Sequence, residues 1–265
     1  RPANRSRPRR RCECKSSPVD YSAPVMSSPL NSGTSKTPSY TLPDTAMRRR
    51  FRRRLLGWYG KHARDLPWRH TRDPYRILVS EMMLQQTQVD RVLPKYEEWI
   101  QKYPSLKALA SARPADVVRT WRPLGYNARP RRLHSIARDV MSQYGGELPS
   151  DEPTLRSFKG IGAYTAGAVQ SFAFGRRAAI VDTNVARVLF RVFVGRGDRK
   201  SSVLKKHLWS LSAALLPRRN VFDFNQALMD IGATVCVARH PRCPDCPMSP
   251  ICAAYPFDPE LEHGS

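Results

Sequence analysis

Four cysteines near the end of the chain could hold a metal. They fall within seventeen residues and are separated by six, two and five residues: Cys236, Cys243, Cys246 and Cys252. Disulfides would require an oxidising compartment, and the printed sequence shows no secretory signal. Closely spaced thiolates are typical of a metal site. Ligand chemistry leaves two candidates, because zinc could also use the nearby His240, whereas four thiolates suit a 4Fe-4S cluster.

A second stretch, SEMMLQQTQV (80–89), places a carboxylate beside amides. With helical spacing, one face carries Glu81, Leu84, Gln85 and Gln88, and another carries Leu78, Met82, Val89 and Val92. The apolar face is expected to lie in the core. A lone carboxylate among amides is an unusual choice for plain solvent exposure, which makes Glu81 a candidate functional residue.

A glycine-containing turn and an aspartate follow further along the chain. In FKGIGAYTAGAV (158–169), Gly160 and Gly162 permit a tight turn and a close approach of the backbone. The helix that follows has free N–H groups that can face a phosphate. About twenty residues later, Asp182 opens the helical stretch TNVARVL. Asp182 could be a helix N-cap, a catalytic carboxylate, or both.

The composition favours a polyanionic partner. The chain has 265 residues, with 45 Lys and Arg against 22 Asp and Glu, and a formal charge of +23. Residues 1–46 carry eight basic and three acidic residues, so +18 remains on residues 47–265. An excess of this size points to nucleic acid, the alternative being a merely soluble basic surface. No apolar run approaches the roughly 18 residues that a membrane helix needs, so no membrane partner is expected.

The chain divides into a polar tail and a helical region. Residues 1–46 are rich in Ser, Pro and Arg, lack periodicity, and are predicted to be disordered. They could be a transit peptide or non-native sequence upstream of Met47, and Cys12 and Cys14 are predicted bystanders. Beyond the tail, apolar residues recur with helical spacing, as in RRLHSIARDVMSQYGG, and convincing strands are absent. The fold class is therefore predicted to be all-α.

Together these motifs resemble those of the MutY-type adenine DNA glycosylases, in the endonuclease III group of helix-hairpin-helix proteins. SEMMLQQTQV matches nine of the ten residues of a signature in that family, SEVMLQQTQV, and DLPWRHTRDPY upstream fits the same branch. The turn at 158–169 resembles the family's hairpin. The C-x6-C-x2-C-x5-C spacing is similar to that of the family's iron–sulfur loop and implies a 4Fe-4S cluster. The resemblance covers about residues 50–255.

The resemblance also implies two helical lobes with a DNA cleft between them. Residues 75–185 are expected to form a helical-barrel lobe that carries the helix-hairpin-helix. Residues 47–74 and 186–255 are expected to form the lobe of the iron–sulfur cluster, and residues 256–265 a frayed tail. The chain is expected to act as a monomer on double-stranded DNA with a mispaired adenine.

The family's reaction gives the two carboxylates different roles. Breaking an N-glycosidic bond leaves an oxocarbenium-like sugar and an anionic base, so one acid must protonate the base while an ionised carboxylate stabilises the cation. The resemblance implies that Glu81 protonates adenine N7 and then helps to activate water. Asp182 would stabilise or trap the sugar cation, with Tyr164 and Asn184 orienting these groups. Glu81 then needs a raised pKa, whereas Asp182 stays charged.

The residue at position 164 decides whether the strand is cut. Bifunctional relatives of the endonuclease III kind place a Lys there, whose amine forms a Schiff base with the sugar. The phenol of Tyr164 cannot do so. A monofunctional glycosylase without lyase activity is therefore predicted, and Lys159 in the turn is interpreted as a phosphate contact.

Further residues are expected to contact DNA. Adenine must leave the duplex to reach the carboxylates, and Arg69 would contact the flipped base. Gln86 and Tyr126 would lie at the gap, either opposite the lesion or wedged into the stack; a core aromatic is the alternative for Tyr126. Gly160 and Gly162 would face the DNA backbone.

The chain departs from the family in three places. Asn127 replaces a second Tyr, and Thr183 replaces a Gly, that many relatives carry. Longer members add a Nudix-like domain that helps to recognise 8-oxoguanine, whereas this chain ends soon after Cys252. A short form or a truncation is expected, and the preference for 8-oxoguanine over guanine stays open.

Three other functions remain open. A thymine glycosylase for T:G mispairs shares the hairpin, the cluster and a Tyr at position 164, but lacks the EMMLQQTQ pattern. A strand-cleaving lyase is disfavoured by Tyr164. A non-catalytic DNA-binding module would need neither Glu81 nor Asp182. The compartment depends on the source: the cytoplasm with its nucleoid in a bacterium, or the nucleus or mitochondrion in a eukaryote.

Overall fold

The computed structural model describes residues 40–259, and these contain α-helices and short 3-10 turns but no β-strand. The predicted all-α fold class is therefore confirmed. Within this range, no helix is both long and apolar enough to cross a membrane. Residues 1–39, with Cys12 and Cys14, and residues 260–265 lie outside the described residues, and with them most of the predicted tails.

Eleven α-helices follow one another in the described part of the chain. Their bounds are α1 Thr45–His62, α2 Pro74–Leu84, α3 Val89–Lys102, α4 Leu106–Ala110, α5 Pro114–Trp121, α6 Ala128–Gln143, α7 Glu152–Ser157, α8 Ala163–Phe172, α9 Thr183–Phe193, α10 Ser202–Leu215 and α11 Val221–Thr234. The helices predicted from apolar periodicity are present, since RRLHSIARDVMSQ lies in α6 and TNVARVLFRVF is α9. Local sequence is therefore sufficient to define the strongly periodic helices.

Helix α1 begins inside the polar tail that the sequence predicts for residues 1–46. Asp44 caps α1, because its Oδ1 accepts a hydrogen bond from the N–H of Met47 at 2.7 Å. The ring of Tyr40 stacks on His207 of α10, with centroids 5.0 Å apart. Residues 40–46 of the predicted tail therefore have defined structure, with Thr45 and Ala46 in α1. At the other end, the ring of Phe257, which was predicted to fray, lies 4.2 Å from the guanidinium carbon of Arg191.

Helix α2 runs through the interior, where it packs against α3, α6 and α8. Its apolar side chains are buried all round: Ile77, Leu78, Val79, Met82 and Met83. Because every side chain from Ile77 to Met83 is buried, including the polar Ser80 and Glu81, this part of α2 is surrounded by protein. Helices α1, α9, α10 and α11 pack on one another, and α11 also contacts α8. Helices α2, α8, α9 and α11 each contribute to the site described below, while the division into two lobes stays a prediction.

The structure corrects the prediction of one continuous helix through SEMMLQQTQV. Helix α2 ends at Leu84 and α3 begins at Val89, so Gln85 and Gln88 do not continue the face of Glu81. Between the helices, Gln86 adopts a left-handed backbone conformation with φ of 55°. The break is stabilised by a residue distant in sequence, because the guanidinium of Arg129 donates hydrogen bonds to the carbonyls of Met82, Met83 and Gln85.

Candidate active site

Glu81 lies on α2 as a buried carboxylate with an incomplete set of partners. Its residue is 3 % exposed, and its Oε2 has no hydrogen-bond partner within the described residues. Burial raises the pKa of Glu81 to about 7, and the charge of Asp182 raises it further, whereas Tyr164 and Arg69 act in the opposite direction. Glu81 can therefore hold a proton near neutral pH and release it to a bound group.

Asp182 occupies a different environment at the start of α9. Its Oδ1 accepts from the N–H of Val185 at 2.7 Å, and its Oδ2 accepts from Nδ2 of Asn184 at 3.2 Å. Burial raises the pKa of Asp182, while these two donors and the charge of Arg187 lower it. Asp182 is thus the helix N-cap, as one of the two sequence interpretations predicts, and its carboxylate points at a helix N-terminus that favours negative charge.

Arg187 connects this carboxylate to the segment before the cysteine loop. Its Nη2 donates to Oδ1 of Asn184 at 2.8 Å and to the carbonyl of Gly232 at 2.7 Å. Its Nε donates to the carbonyl of Cys236 at 2.7 Å. A Cβ on Gly232 would lie 2.8 Å from Cβ of Asn184, so only glycine fits there. Asn184 is therefore fixed from two sides while it donates to Asp182.

Tyr164 on α8 stands beside both carboxylates. Its hydroxyl donates to Sδ of Met229 at 3.7 Å. Burial raises the pKa of Tyr164 well above its usual value, and the charges of Glu81 and Asp182 raise it further. A hydrogen bond from the Tyr164 hydroxyl also lowers the pKa of Glu81, against the larger effect of burial. Tyr164 therefore stays protonated and can orient its neighbours through its hydroxyl, but it cannot act as an anionic nucleophile.

Arg69 is held at the site by a carboxylate that the sequence analysis missed. Its Nη1 and Nη2 donate to Oδ2 and Oδ1 of Asp230 at 2.8 and 2.7 Å, and Nε of Arg64 donates to the same Oδ1 at 2.6 Å. Burial disfavours the charge of Asp230, but its bonds to Arg69 and the charges of Arg69 and Arg64 outweigh this and lower its pKa. Nε of Arg69 is buried and has no partner in the described residues. One donor of Arg69 therefore remains for a ligand.

The residues that the sequence analysis missed are buried ions. Asp230 is the carboxylate of MDIGA, inside an apolar helix, and this pattern was the available signal. Arg187 and Arg129 gave no signal, because a buried arginine cannot be distinguished from the many surface arginines by type alone. Their roles depend on carbonyl groups that the fold brings to them.

The predicted hairpin is present between α7 and α8. Gly160 has φ of 105°, and a Cβ there would lie 2.7 Å from Cδ of Arg132, so the position requires glycine. Gly162 has φ of −91°, which any residue adopts, and a Cβ there would have no neighbour within 4 Å. Helix α8 begins without a side-chain cap, and Lys159 is exposed. The turn therefore offers free N–H groups and a cation to an anion.

Gln86 and Tyr126 lie on two loops that are joined by Arg129. Both have left-handed backbones, with φ of 55° and 49°. Tyr126 is 62 % exposed, which contradicts the alternative that it is a core aromatic. Glu81, Asp182, Tyr164, Asn184 and Arg69 thus form one site. Gln86 and Tyr126 are both exposed, and Arg129 links their loops.

The four cysteines line one cavity beside α9 and α11, and all four thiols are free. Nη1 of Arg191 lies 3.5 Å from Sγ of Cys236, and Sγ of Cys252 donates to the carbonyl of Arg191 at 3.2 Å. Burial raises the pKa of Cys246 to about 11, and the neighbouring thiols add to this effect. The donor set fits a four-thiolate group, although no three His, Cys, Asp or Glu side chains of residues 40–259 are arranged as they stand to hold a metal ion.

Comparisons with known proteins agree with this architecture. The family model of the HhH-GPD superfamily base excision DNA repair proteins matches residues 79–214. The adenine DNA glycosylase of Mus musculus is 44 % identical over 230 residues, which cover 83 % of this chain and 45 % of the mouse protein. That of Mycolicibacterium smegmatis is 47 % identical over 196 residues, which cover 74 % of this chain and 66 % of the bacterial protein. The chain thus spans less than half the length of its mouse relative.

A solved structure shows the same fold over most of both chains. It is that of a thermostable thymine-DNA glycosylase, with a TM-score of 0.74 and 34 % sequence identity, covering 80 % of this chain and 98 % of the other. The helical architecture, the hairpin and the family match lead to one assignment. The chain belongs to the HhH-GPD superfamily of base excision DNA repair proteins.

Proposed function

We propose that this protein is a monofunctional adenine DNA glycosylase, which hydrolyses the N-glycosidic bond of adenine mispaired with 8-oxoguanine or guanine. One observation carries the proposal: a buried Glu81 with a pKa of about 7 next to Asp182, which is held by hydrogen-bond donors. The mouse and mycobacterial relatives, which bear the name adenine DNA glycosylase, support the choice of base.

Glu81 acts as the general acid. Its pKa of about 7 keeps a large fraction protonated at neutral pH, so it can donate to N7 of an extruded adenine as the glycosidic bond breaks. Without that proton the leaving base would be an anion. A positioned acid of this kind contributes on the order of 10²–10⁴ in rate. After the base has left, the resulting carboxylate can accept a proton from the attacking water.

Asp182 supplies the negative charge that the sugar cation needs. The N–H of Val185 and the amide of Asn184 hold its two oxygens in place, and Arg187 in turn fixes Asn184. An ionised carboxylate at this point stabilises the oxocarbenium-like sugar or traps it covalently until water arrives. Tyr164 fills the place where a lyase would have its amine, so release of the base is not followed by strand cleavage.

The DNA partner is bound through several elements. The hairpin at 158–162 and Lys159 face the phosphate backbone, while Gln86 and Tyr126 enter the base stack. Arg69 meets the extruded base, because its Nε is a buried donor without a partner in the described residues. The protein acts as a monomer, since one chain supplies both carboxylates as well as the exposed Gln86 and Tyr126.

The cysteine loop holds a 4Fe-4S cluster through Cys236, Cys243, Cys246 and Cys252. Four free thiols on one cavity support this proposal over a structural disulfide. When bound, the cluster supplies a structural cross-link that fixes the loop on the fold, and hydrolysis needs no electron transfer. A yellow-brown protein with absorbance near roughly 400 nm is expected. A colourless protein with bound zinc would refute the cluster.

Base release from a set of duplexes tests the function. The duplexes carry A:8-oxoguanine, A:G, T:G and A:T pairs, each assayed with and without later alkali. Adenine loss from the first two, with strand breaks only after alkali, is the expected result. Strand breaks without alkali would contradict the role of Tyr164. Tight binding without release from any duplex would instead make the chain a DNA-binding module.

A thymine glycosylase for T:G mispairs is the second candidate. The observation that favours it is the likeness to the thymine-DNA glycosylase structure, of which this chain covers 98 %. Thymine has no N7, so in this reaction Glu81 could not donate its proton to the leaving base at that atom. Thymine release from the T:G duplex, with none from the adenine mispairs, would select this candidate.

A further inference from the structure

Arg129 of α6 is a buried cation that joins two separate loops. It is 4 % exposed, and its guanidinium donates to acceptors on both sides. Nη1 binds the carbonyls at the end of α2, at 3.2 Å for Met82 and 2.8 Å for Met83, and also that of Gln85. Nη2 binds Oγ1 of Thr87 at 3.1 Å and the carbonyls of Leu124 and Gly125 at 3.2 and 3.3 Å.

Each of these loops carries a residue in an unfavourable backbone conformation. Gln86 lies between two of the acceptor residues on the first loop, and Tyr126 directly follows the second set. With φ of 55° and 49°, they are two of the three non-glycine residues with positive φ in the described part of the chain. Such conformations persist only where the surroundings hold them, and they cluster at functional sites. Arg129 provides those surroundings for both residues.

The charge of Arg129 is not there to pair with an acid. No carboxylate of residues 40–259 forms an ion pair with it, and the guanidinium carbon instead lies 5.3 Å from the ring centroids of Trp121 and Tyr126. The carbonyls at the C-terminal end of α2 carry the negative end of the helix dipole, which a cation stabilises. Only the planar fork of arginine can reach six acceptors in two loops at once.

We propose that Arg129 is a positioning residue that holds Gln86 and Tyr126 as one rigid, two-pronged wedge before DNA binds. This rests on the proposed function, in which the wedge opens the base stack while adenine is extruded. Fixing both prongs in advance removes the entropy cost of ordering two loops during base extrusion. The ring of Tyr126 is exposed, and its centroid lies 5.3 Å from the guanidinium carbon of Arg129, so it can serve as one prong of the wedge.

Two DNA substrates distinguish a positioning role of Arg129 from a purely structural role in folding. In an A:G duplex the adenine must be forced out of a continuous stack, whereas adenine opposite an abasic-site analogue lies in a stack that is already open. Arg129→Lys keeps the charge but loses the fork. We expect kcat/KM to fall at least tenfold on the A:G duplex and less than threefold on the open one. The control Arg138→Lys, an exposed position on the same helix, should change neither. Equal losses on both substrates would overturn the proposal.

A milder variant covers the case in which Arg129→Lys does not fold. Thr87→Val removes one acceptor of Nη2 while keeping the side-chain shape. It should lose about threefold on the A:G duplex and nothing on the open one, because only the strength of the clamp changes. A loss that is absent on A:G, or is shared by both substrates, would count against the clamp.

A fluorescence measurement distinguishes failure of this proposal from failure of the proposed function. A duplex with 2-aminopurine in place of adenine reports unstacking on binding alone and requires no base release. Wild-type protein should raise its fluorescence, and Arg129→Lys should bind with the same salt dependence but raise it by less than half as much. If the wild-type protein unstacks the base but releases none, the proposed function fails and the wedge stands. If both proteins raise the fluorescence equally, the wedge proposal fails.

Discussion

Replacing Glu81 by Gln should make the protein more stable in a manner that depends on pH. Burial raises the pKa of Glu81 from its ordinary 4.5 to about 7. Below pH 4.5 the Glu81 carboxyl is protonated in both the folded and the unfolded chain, so it does not lower the free energy of unfolding. As the pH rises, the unfolded chain ionises first, and this ionisation draws the equilibrium toward unfolding until the folded carboxyl ionises near pH 7. The free energy of unfolding of the wild-type protein therefore falls as the pH rises from about 4.5 to about 7.

The size of the effect follows from the two pKa values. Each pKa unit corresponds to 1.36 kcal/mol, so the full penalty above pH 8 is roughly 3 kcal/mol, and at pH 5 only about 1 kcal/mol has developed. A glutamine of the same shape cannot ionise and escapes this penalty. The difference in free energy of unfolding between Glu81→Gln and wild type should thus grow by about 2 kcal/mol from pH 5 to pH 8.

Urea unfolding of both proteins at intervals from pH 5 to 8 measures this difference directly. Other titrating groups cancel, because they are common to both chains. Glu97→Gln, at an exposed position of α3, is the matched control and should give parallel curves. Parallel curves for Glu81→Gln itself would refute the raised pKa, and with it the argument that Glu81 is the acid. The same variant should release no base while it still binds the A:G duplex.

Three further results are expected. The single-turnover rate of base release should fall about tenfold per pH unit above pH 7, as the proton of Glu81 is lost; a rate that stays flat to pH 9 would remove Glu81 as the acid. Asp230→Asn should destabilise the fold by about 3–5 kcal/mol in urea unfolding, because it leaves Arg69 and Arg64 without their counter-charge. A loss under about 1 kcal/mol would mean that the ion pair of Asp230 with Arg69 contributes little to stability. Cys246→Ser should lower the absorbance near roughly 400 nm, and an unchanged spectrum would exclude that thiol as a ligand.

The strongly periodic helices and one end of the site could be predicted from the sequence. The capping role of Asp182 follows from its type and its place before TNVARVL, and the structure records the bond from Val185 that makes it a cap. The stop of α6 follows from Gly145 and Gly146, both of which have positive φ. These features depend on a few neighbouring residues, so local sequence is sufficient to specify them.

Other features depend on residues distant in sequence and could not be predicted from it. The break between α2 and α3 is one, because the carbonyls of Met83 and Gln85 are bound by Arg129, more than forty positions away. The site of Arg69 is another, since Asp230 binds its guanidinium across 161 positions. In both cases the sequence shows an ordinary arginine, and only the fold determines which carbonyl or carboxylate it meets.

The two carboxyl groups that we propose as catalytic, those of Glu81 and Asp182, differ in their surroundings. Burial raises both pKa values, so burial alone cannot separate their roles. The difference lies in hydrogen-bond donors. Glu81 sits in the last turns of α2, where backbone N–H groups are already used within the helix, and its Oε2 has no donor within residues 40–259. Asp182 sits at the first turn of α9, where N–H groups are free, and Asn184 adds a further donor. The position of each residue along its helix therefore favours a protonated Glu81 and an ionised Asp182. Hydrolysis of a glycosidic bond requires one carboxyl group in each of these states.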